Sequence, residues 1–254
     1  MPASRIIESP PSALCGCVFN YRKPYAFSNC KYEKRQLPKS FVSGQELKNY
    51  ALHISSDIGV VGIVFRPTAL FKILGLPMFG LTNERIAFTE LFDPNEIERK
   101  IEDASSHQEK INLVQHFIYD RLASGLHGTS EIEYAANFIY ESRGQCRIPD
   151  LIGNAYMSRR KFERKFMEEV GISPKAYARI RRFGYTCLLM AGNREADMMS
   201  VLHECGYYDQ SHFIKDFKYF SGRTPGSYLK TNEELANYVD NMAIIAAKIQ
   251  FPQT

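Results

Sequence analysis

The chain has 254 residues, 44% of them hydrophobic and 24% charged, with 32 Lys+Arg against 28 Asp+Glu and six cysteines. No apolar run approaches the roughly 20 residues that span a bilayer, and no secretory leader is recognisable, which excludes a membrane-spanning helix and points to a cytoplasmic protein with reduced thiols. The formal net charge is only +4, so where the charge sits matters more than its sum.

Residues 1 to about 92 are strand-like. Apolar runs such as Leu14-Cys15-Gly16-Cys17-Val18-Phe19 and Ile58-Gly59-Val60-Val61-Gly62-Ile63-Val64-Phe65 are punctuated by Gly and Pro. After Pro67 the pattern ALFKILGL predicts a short helix, and Asn95 to Ser124 reads as helical with Ile111, Val114 and Ile118 on one face. The expected fold class is therefore α+β, with a β-rich front domain and its following helices over 1–124. A Ser/Gly-rich linker is expected over 125–130, then an all-α domain over 131–230. Leu235, Val239, Met242 and Ile249 keep helical spacing, which predicts an amphipathic extension over 231–254 that packs on its own domain or on a partner subunit.

The all-α domain contains a duplication. Leu151, Tyr156, Phe162, Arg164, Phe166, Gly171, Pro174 and Tyr177 recur as Leu202, Tyr207, Phe213, Lys215, Phe217, Gly222, Pro225 and Tyr228. The offset is a constant 51 positions with no insertion, too few copies for a solenoid but enough for a repeated supersecondary unit. Each copy reads as helix, tight turn, helix. Ser158 and Asp209 are N-caps of the second helices, and Phe162/Phe166 and Phe213/Phe217, spaced four apart, mark their buried faces. Helix, turn, helix is the shape that enters the DNA major groove.

The outward faces follow from the buried ones. At 100° per residue the first second-helix presents Arg160, Arg164 and Met167, flanked by Lys161 and Glu163; the other presents Ser211, Lys215 and Lys218, flanked by His212 and Ile214. Arginine takes guanine bidentately, lysine binds guanine or phosphate, and glutamate accepts from cytosine. Residues 143–230 hold 16 Lys+Arg against 9 Asp+Glu, the local excess expected of phosphate contacts, to which Arg179, Arg181 and Arg182 between the copies contribute. Pro174 to Asn193 is predicted as one helix of about 30 Å, close to the ~34 Å turn that separates successive major grooves. Because RRKFERK and QSHFIKD differ, a non-palindromic site is expected.

Other chemistry is weak. Cys15 and Cys17 alternate on a strand and share a face, where a metal or redox role has no third ligand; Cys187 and Cys205 fit apolar core positions. His203 and His212 flank the second turn, with surface and phosphate-contact roles respectively. No P-loop, GxGxxG, nucleophile elbow or HExxH is present, and Glu168-Glu169 point apart on a helix. No catalytic residue, metal site or cofactor is expected. The alternative class is a small-molecule binding protein or enzyme whose helices are a docking platform, but His53 is the only histidine among its strands.

The segment from Glu131 to Lys230 resembles the DNA-binding domain of the AraC/XylS transcription regulators, and GYYDQSHFIKDFKYFSGRTPGSY (206–228) is similar to that family's C-terminal signature along its whole length. The resemblance implies seven helices and two helix-turn-helix units joined by a long helix. It places base contacts on Arg159, Arg160, Glu163 and Arg164 and on Gln210, Ser211 and Lys215. Backbone contacts are expected from Lys161, Lys165, His212, Lys218, Arg181 and Arg182. Gly153-Asn154 and Gly184 depart from the family pattern and soften their helices by about 1 kcal/mol each. The stretches FVSGQ, GIVFRPTALFKILGLP and LTNERIAFTELF are similar to a cupin-like sensor domain found ahead of such DNA-binding domains; further strands usually precede ALCGCVFN there, so an incomplete front domain is expected. The implied partners are double-stranded DNA and RNA polymerase, with an unidentified small-molecule effector and homodimerisation as routes of control. No membrane partner is expected, and activation and repression stay open.

Overall fold

A computed structural model describes residues 5–54, 57–123, 130–192 and 198–227. The linker expected before Ser130 and the helix expected over 231–254 lie outside them.

Among the described residues eight strands form two four-stranded antiparallel sheets. One has the order β1 (Arg5–Ser9), β6 (Tyr50–Ile54), β3 (Ala26–Ser28), β4 (Arg35–Gln36); the other is β7 (Val60–Phe65), β2 (Cys15–Asn20), β5 (Ser40–Ser43), β8 (Arg85–Ala87). Side chains alternate across a strand, so β2 and β5 at the centre of the second sheet serve two cores. Val18 and Phe41, paired in register, face Tyr25, Phe27, Leu37 and Leu52 across the sandwich. Cys15, Cys17, Phe19, Val42, Ile63 and Phe65 face the opposite way, onto helices. Inside the sandwich Arg85 pairs with Glu46, both buried, and its guanidinium lies 4.9 Å from the Phe27 ring and 5.0 Å from that of Tyr50. An ion pair so enclosed needs further partners, and Asn29 Nδ2 donates to Glu46 Oε2 at 3.1 Å.

The helices covering the second sheet are α1 (Ala69–Leu74), α2 (Asn95–Asp103) and α3 (His107–Ala123). The single helical stretch expected over Asn95 to Ser124 is broken, because Ala104 is extended at φ −61° and ψ 130°. Ser106 and Glu109 restart it. Ser106 Oγ accepts from Glu109 N at 3.1 Å while the Glu109 carboxylate accepts from Ser105 N at 2.9 Å, an S-x-x-E cap in which the glutamate reaches the residue before the N-cap. The restart changes the buried face. Val114 and Ile118 are buried as expected, whereas Ile111 is exposed. Lys110 is buried in its place, its ammonium donating to Ile101 O and Ala104 O, both at 2.6 Å, so that it caps the end of α2.

The remaining helices are α4 (Glu131–Glu141), α5 (Ile148–Asn154), α6 (Arg159–Val170), α7 (Pro174–Gly192), α8 (Met198–Glu204) and α9 (Gln210–Ser221). They share one core containing Phe162, Phe166, Tyr177, Phe183, Phe213, Phe217 and Phe220. Ala13, from the β half, is part of that core at 1% exposure, so the two halves are packed together.

Candidate nucleic-acid interface

The two helix-turn-helix units are α5–α6 and α8–α9. The caps expected for the second helices are formed: Ser158 Oγ accepts from Lys161 N at 3.4 Å and Asp209 Oδ1 from His212 N at 2.7 Å. Both helices end in left-handed glycines, Gly171 at φ +96° and Gly222 at φ +72°. Phe162 and Phe166 lie 6.0 Å apart with Tyr177 beyond them, and Phe213 and Phe217 lie 5.4 Å apart against Phe183.

The constant 51-residue offset does not survive. The caps, the phenylalanines and the C-terminal glycines keep it, but α5 and α8, which end at Asn154 and Glu204, are related by 50 positions. Ala155 N bonds Leu151 O as Cys205 N bonds Val201 O; Tyr156 N bonds Gly153 O as Gly206 N bonds His203 O. Tyr156 therefore corresponds to Gly206, and Tyr207, buried at 7% exposure while Tyr156 is 97% exposed, is not its partner. The second turn is one residue longer. Matching residue types masked the insertion because Leu and Tyr happen to fall one position on.

The outward faces are open. Arg159, Arg160, Lys161 and Arg164 on α6 are exposed, with Glu163 and Lys165 partly so; Gln210, Ser211, His212, Lys215 and Lys218 on α9 are exposed. Arg159 Nε lies 2.9 Å from Glu163 Oε1, one turn along the helix.

Arg181 and Arg182, expected on the DNA backbone, are partly exposed and also make contacts within the protein. Arg181 lies 3.8 Å from the Tyr140 ring and donates to Ser12 O at 3.3 Å; Arg182 donates to Gly144 O at 3.1 Å. Arg179 pairs with buried Asp216 at 2.7 Å, joining α7 to α9. Carbonyls and aromatic rings hold these guanidinium groups through their Nη atoms, while the Nε of Arg181 and of Arg182 are buried with no partner among the described residues. Sequence alone saw only their charge.

A further feature had no sequence signal, the contact of the β half with both units. Thr82 Oγ1 donates to Gly171 O at 2.8 Å, at the end of α6. Asn49 N donates to Phe220 O at 2.7 Å, and Arg223 Nη2 lies 2.5 Å from Glu8 Oε1, both at the end of α9. Lys72 meets Glu133 of α4 at 2.7 Å, and Arg66 pairs with Glu141. Ser130, the N-cap of α4, donates to Glu169 Oε2 at 2.8 Å; burial holds that carboxyl above the usual carboxylate range. Burial likewise pushes the Cys15 thiol up to about 12 and the Cys17 thiol higher, so both are inert thiols in the helix-facing core. Among the described residues no cluster of His, Cys, Asp or Glu fit for a metal occurs, and no helix is long and apolar enough to cross a membrane.

Two capped helix-turn-helix units on a long connecting helix, their second helices cationic and open, define a DNA-binding transcription regulator. Residues 152–231 match the family described as "Helix-turn-helix domain", and residues 5–87 match a "Domain of unknown function (DUF6597)". The chain thus joins a helix-turn-helix domain of AraC type to a front domain of that uncharacterised family. No curated protein matches it. It is similar to solved structures of ToxT from Vibrio cholerae. One has 12% identity and a TM-score of 0.49, covering 90% of this chain and 97% of that one. A second has 12% identity and a TM-score of 0.48, covering 90% and 96%. A third, of ToxT bound to an unsaturated fatty acid, has 11% identity and a TM-score of 0.47, covering 89% and 94%.

Proposed function

We propose that the chain reads two consecutive major grooves with non-identical helices and that the front domain controls how those helices are held. In α6, Arg159, Arg160, Glu163 and Arg164 meet base edges, flanked by Lys161 and Lys165 on phosphates. In α9, Gln210, Ser211 and Lys215 meet bases, flanked by His212 and Lys218. One observation carries the proposal: two second helices, capped and buried alike, present different exposed residues at equivalent positions, Arg160 against Ser211 and Arg164 against Lys215. The 19 residues of α7 make a strut of about 28 Å. That separation suits grooves one turn apart on one face of the duplex.

Residues 1–124 act as the controlling domain and 131–230 as the reading domain. An effector bound by the front domain, or its self-association, would act through the contacts at Gly171, Phe220 and Arg223. The site of action is the cytoplasm, where the DNA of such regulators lies. Selection of bound duplexes from a random pool tests the reading: an asymmetric sequence with two boxes about one turn apart is expected, with affinity falling steeply as salt rises. A palindrome, or no enriched sequence, would refute it.

A further inference from the structure

The turns before α6 and α9 differ from each other in the placement of one residue type. At the left-handed position of the first turn, φ +49°, stands Tyr156; at the equivalent position of the second, φ +67°, stands Gly206. Glycine adopts that backbone without strain, whereas a bulky side chain there is an outlier. The second turn is a control within the same molecule, showing what the fold alone asks for. Its own extra residue is again a tyrosine, Tyr208, immediately before the N-cap Asp209.

Neither ring packs. Tyr156 is 97% exposed and Tyr208 94%, whereas among the described residues the next most exposed tyrosine, Tyr119, reaches 61%. A phenol left in water on a strained backbone, or added to a turn that closes without it, contributes nothing to the core. What the two share is position, each within two residues of the N-cap of a helix whose first turn is open, Arg159 and Arg160 in one case and Gln210 and Ser211 in the other. Phosphates border the groove that such a helix enters, and tyrosine hydroxyls are among the groups that donate to them.

We propose that Tyr156 and Tyr208 are DNA-contacting residues, each phenol donating a hydrogen bond to a phosphate at the edge of the groove entered by the helix that follows it. The inference rests on the two-groove proposal. It differs from the cationic contacts in one measurable way: a neutral donor displaces no counterion, so its loss weakens binding without changing the dependence on salt.

The test uses the full chain, a selected duplex and a scrambled one, with affinity measured across a salt series for wild type, Tyr156→Phe, Tyr208→Phe and Lys161→Ala. Each Phe variant is expected to bind both duplexes about threefold to tenfold more weakly, the range of one net hydrogen bond, with the wild-type salt slope. Lys161→Ala is expected to lower the slope by about one contact. Tyr156→Gly is expected to melt at a higher temperature than wild type while binding more weakly, so lost affinity is not lost folding. Phe variants that bind as wild type does, lose only the selected duplex, or shift the slope would overturn the assignment. If wild type binds no duplex, the two-groove proposal falls and this one with it; if wild type binds and the Phe variants are unchanged, this one falls alone.

Discussion

Arg160 and Lys215 sit at the centre of the two open faces, and their worth depends on what they touch. If each reads a base, Arg160→Ala relaxes preference in one box and Lys215→Ala in the other, by roughly 1 to 3 kcal/mol against duplexes altered box by box. Equal loss on every duplex would assign both to phosphates. Glu169 offers a second prediction with a definite sign. Its carboxyl titrates above its unfolded value because burial disfavours the charged form, although Ser130 donates to it. A raised carboxyl is a stability cost once ionised, so its contribution falls as pH rises through its folded-state titration. Glu169→Gln keeps an acceptor for Ser130 and removes the charge. The variant is expected to melt above wild type at pH 8, with the difference closing below about pH 4, where both are neutral. A difference that is constant with pH would show that the carboxyl ionises without penalty.

At the scale of elements, α7 does more than span. Arg179 ties it to Asp216 of α9, whose carboxylate is 4% exposed. Removing the guanidinium leaves a buried charge without its closest cation, so Arg179→Ala is expected to cost about 2 kcal/mol in urea unfolding. Arg159→Ala, which breaks the exposed pair with Glu163, should cost under about 1 kcal/mol. Equal costs would mean that the Asp216 pair is solvated in practice. Gly184 is a softer point on the same helix. A methyl group there would meet nothing nearer than Pro11 O at 3.9 Å, so Gly184→Ala should stabilise by about 0.5 to 1 kcal/mol. Gly144, at φ +75° with Ala178 O 2.0 Å from a built Cβ, has no such freedom, and Gly144→Ala should lower the melting temperature.

For the whole molecule, the ends of both reading helices rest on one β domain. Thr82 meets the carbonyl that closes α6, while Asn49 and Glu8 meet the end of α9. The relative placement of the two helices is therefore set from two sides, by α7 and by the front domain. Loosening the second constraint should loosen the spacing rule rather than the sequence rule. Thr82→Ala combined with Glu8→Lys, which sets a lysine against Arg223, is expected to tolerate a base pair added or removed between the boxes better than wild type does. Its base preference within each box should stay unchanged. Binding to a spacer-length series checks this, and identical spacer profiles would show that α7 alone sets the distance.

How much was legible before folding follows from the range of each interaction. The caps at Ser158 and Asp209, the phenylalanine pairs, the closing glycines, the long α7 and the alternating strands β2 and β7 are written in local sequence, since each depends on backbone geometry or spacing within one element. The S-x-x-E pattern at Ser106 and Glu109 is equally local, and the helix restart it encodes turns Lys110 rather than Ile111 inward. The extra residue of the second turn was hidden because similar residues stood one position apart; only backbone hydrogen bonds reveal the shift. The sequence by itself determined two copied scaffolds with different outer faces, because a helix fixes which of its own residues share a side. Tertiary structure alone decided that Arg179, Arg181 and Arg182 turn to partners within the protein and that the β domain grips the ends of both reading helices. Those contacts join residues far apart in the chain, up to 215 positions for Glu8 and Arg223, and no local pattern encodes which distant carbonyl or carboxylate a side chain will meet.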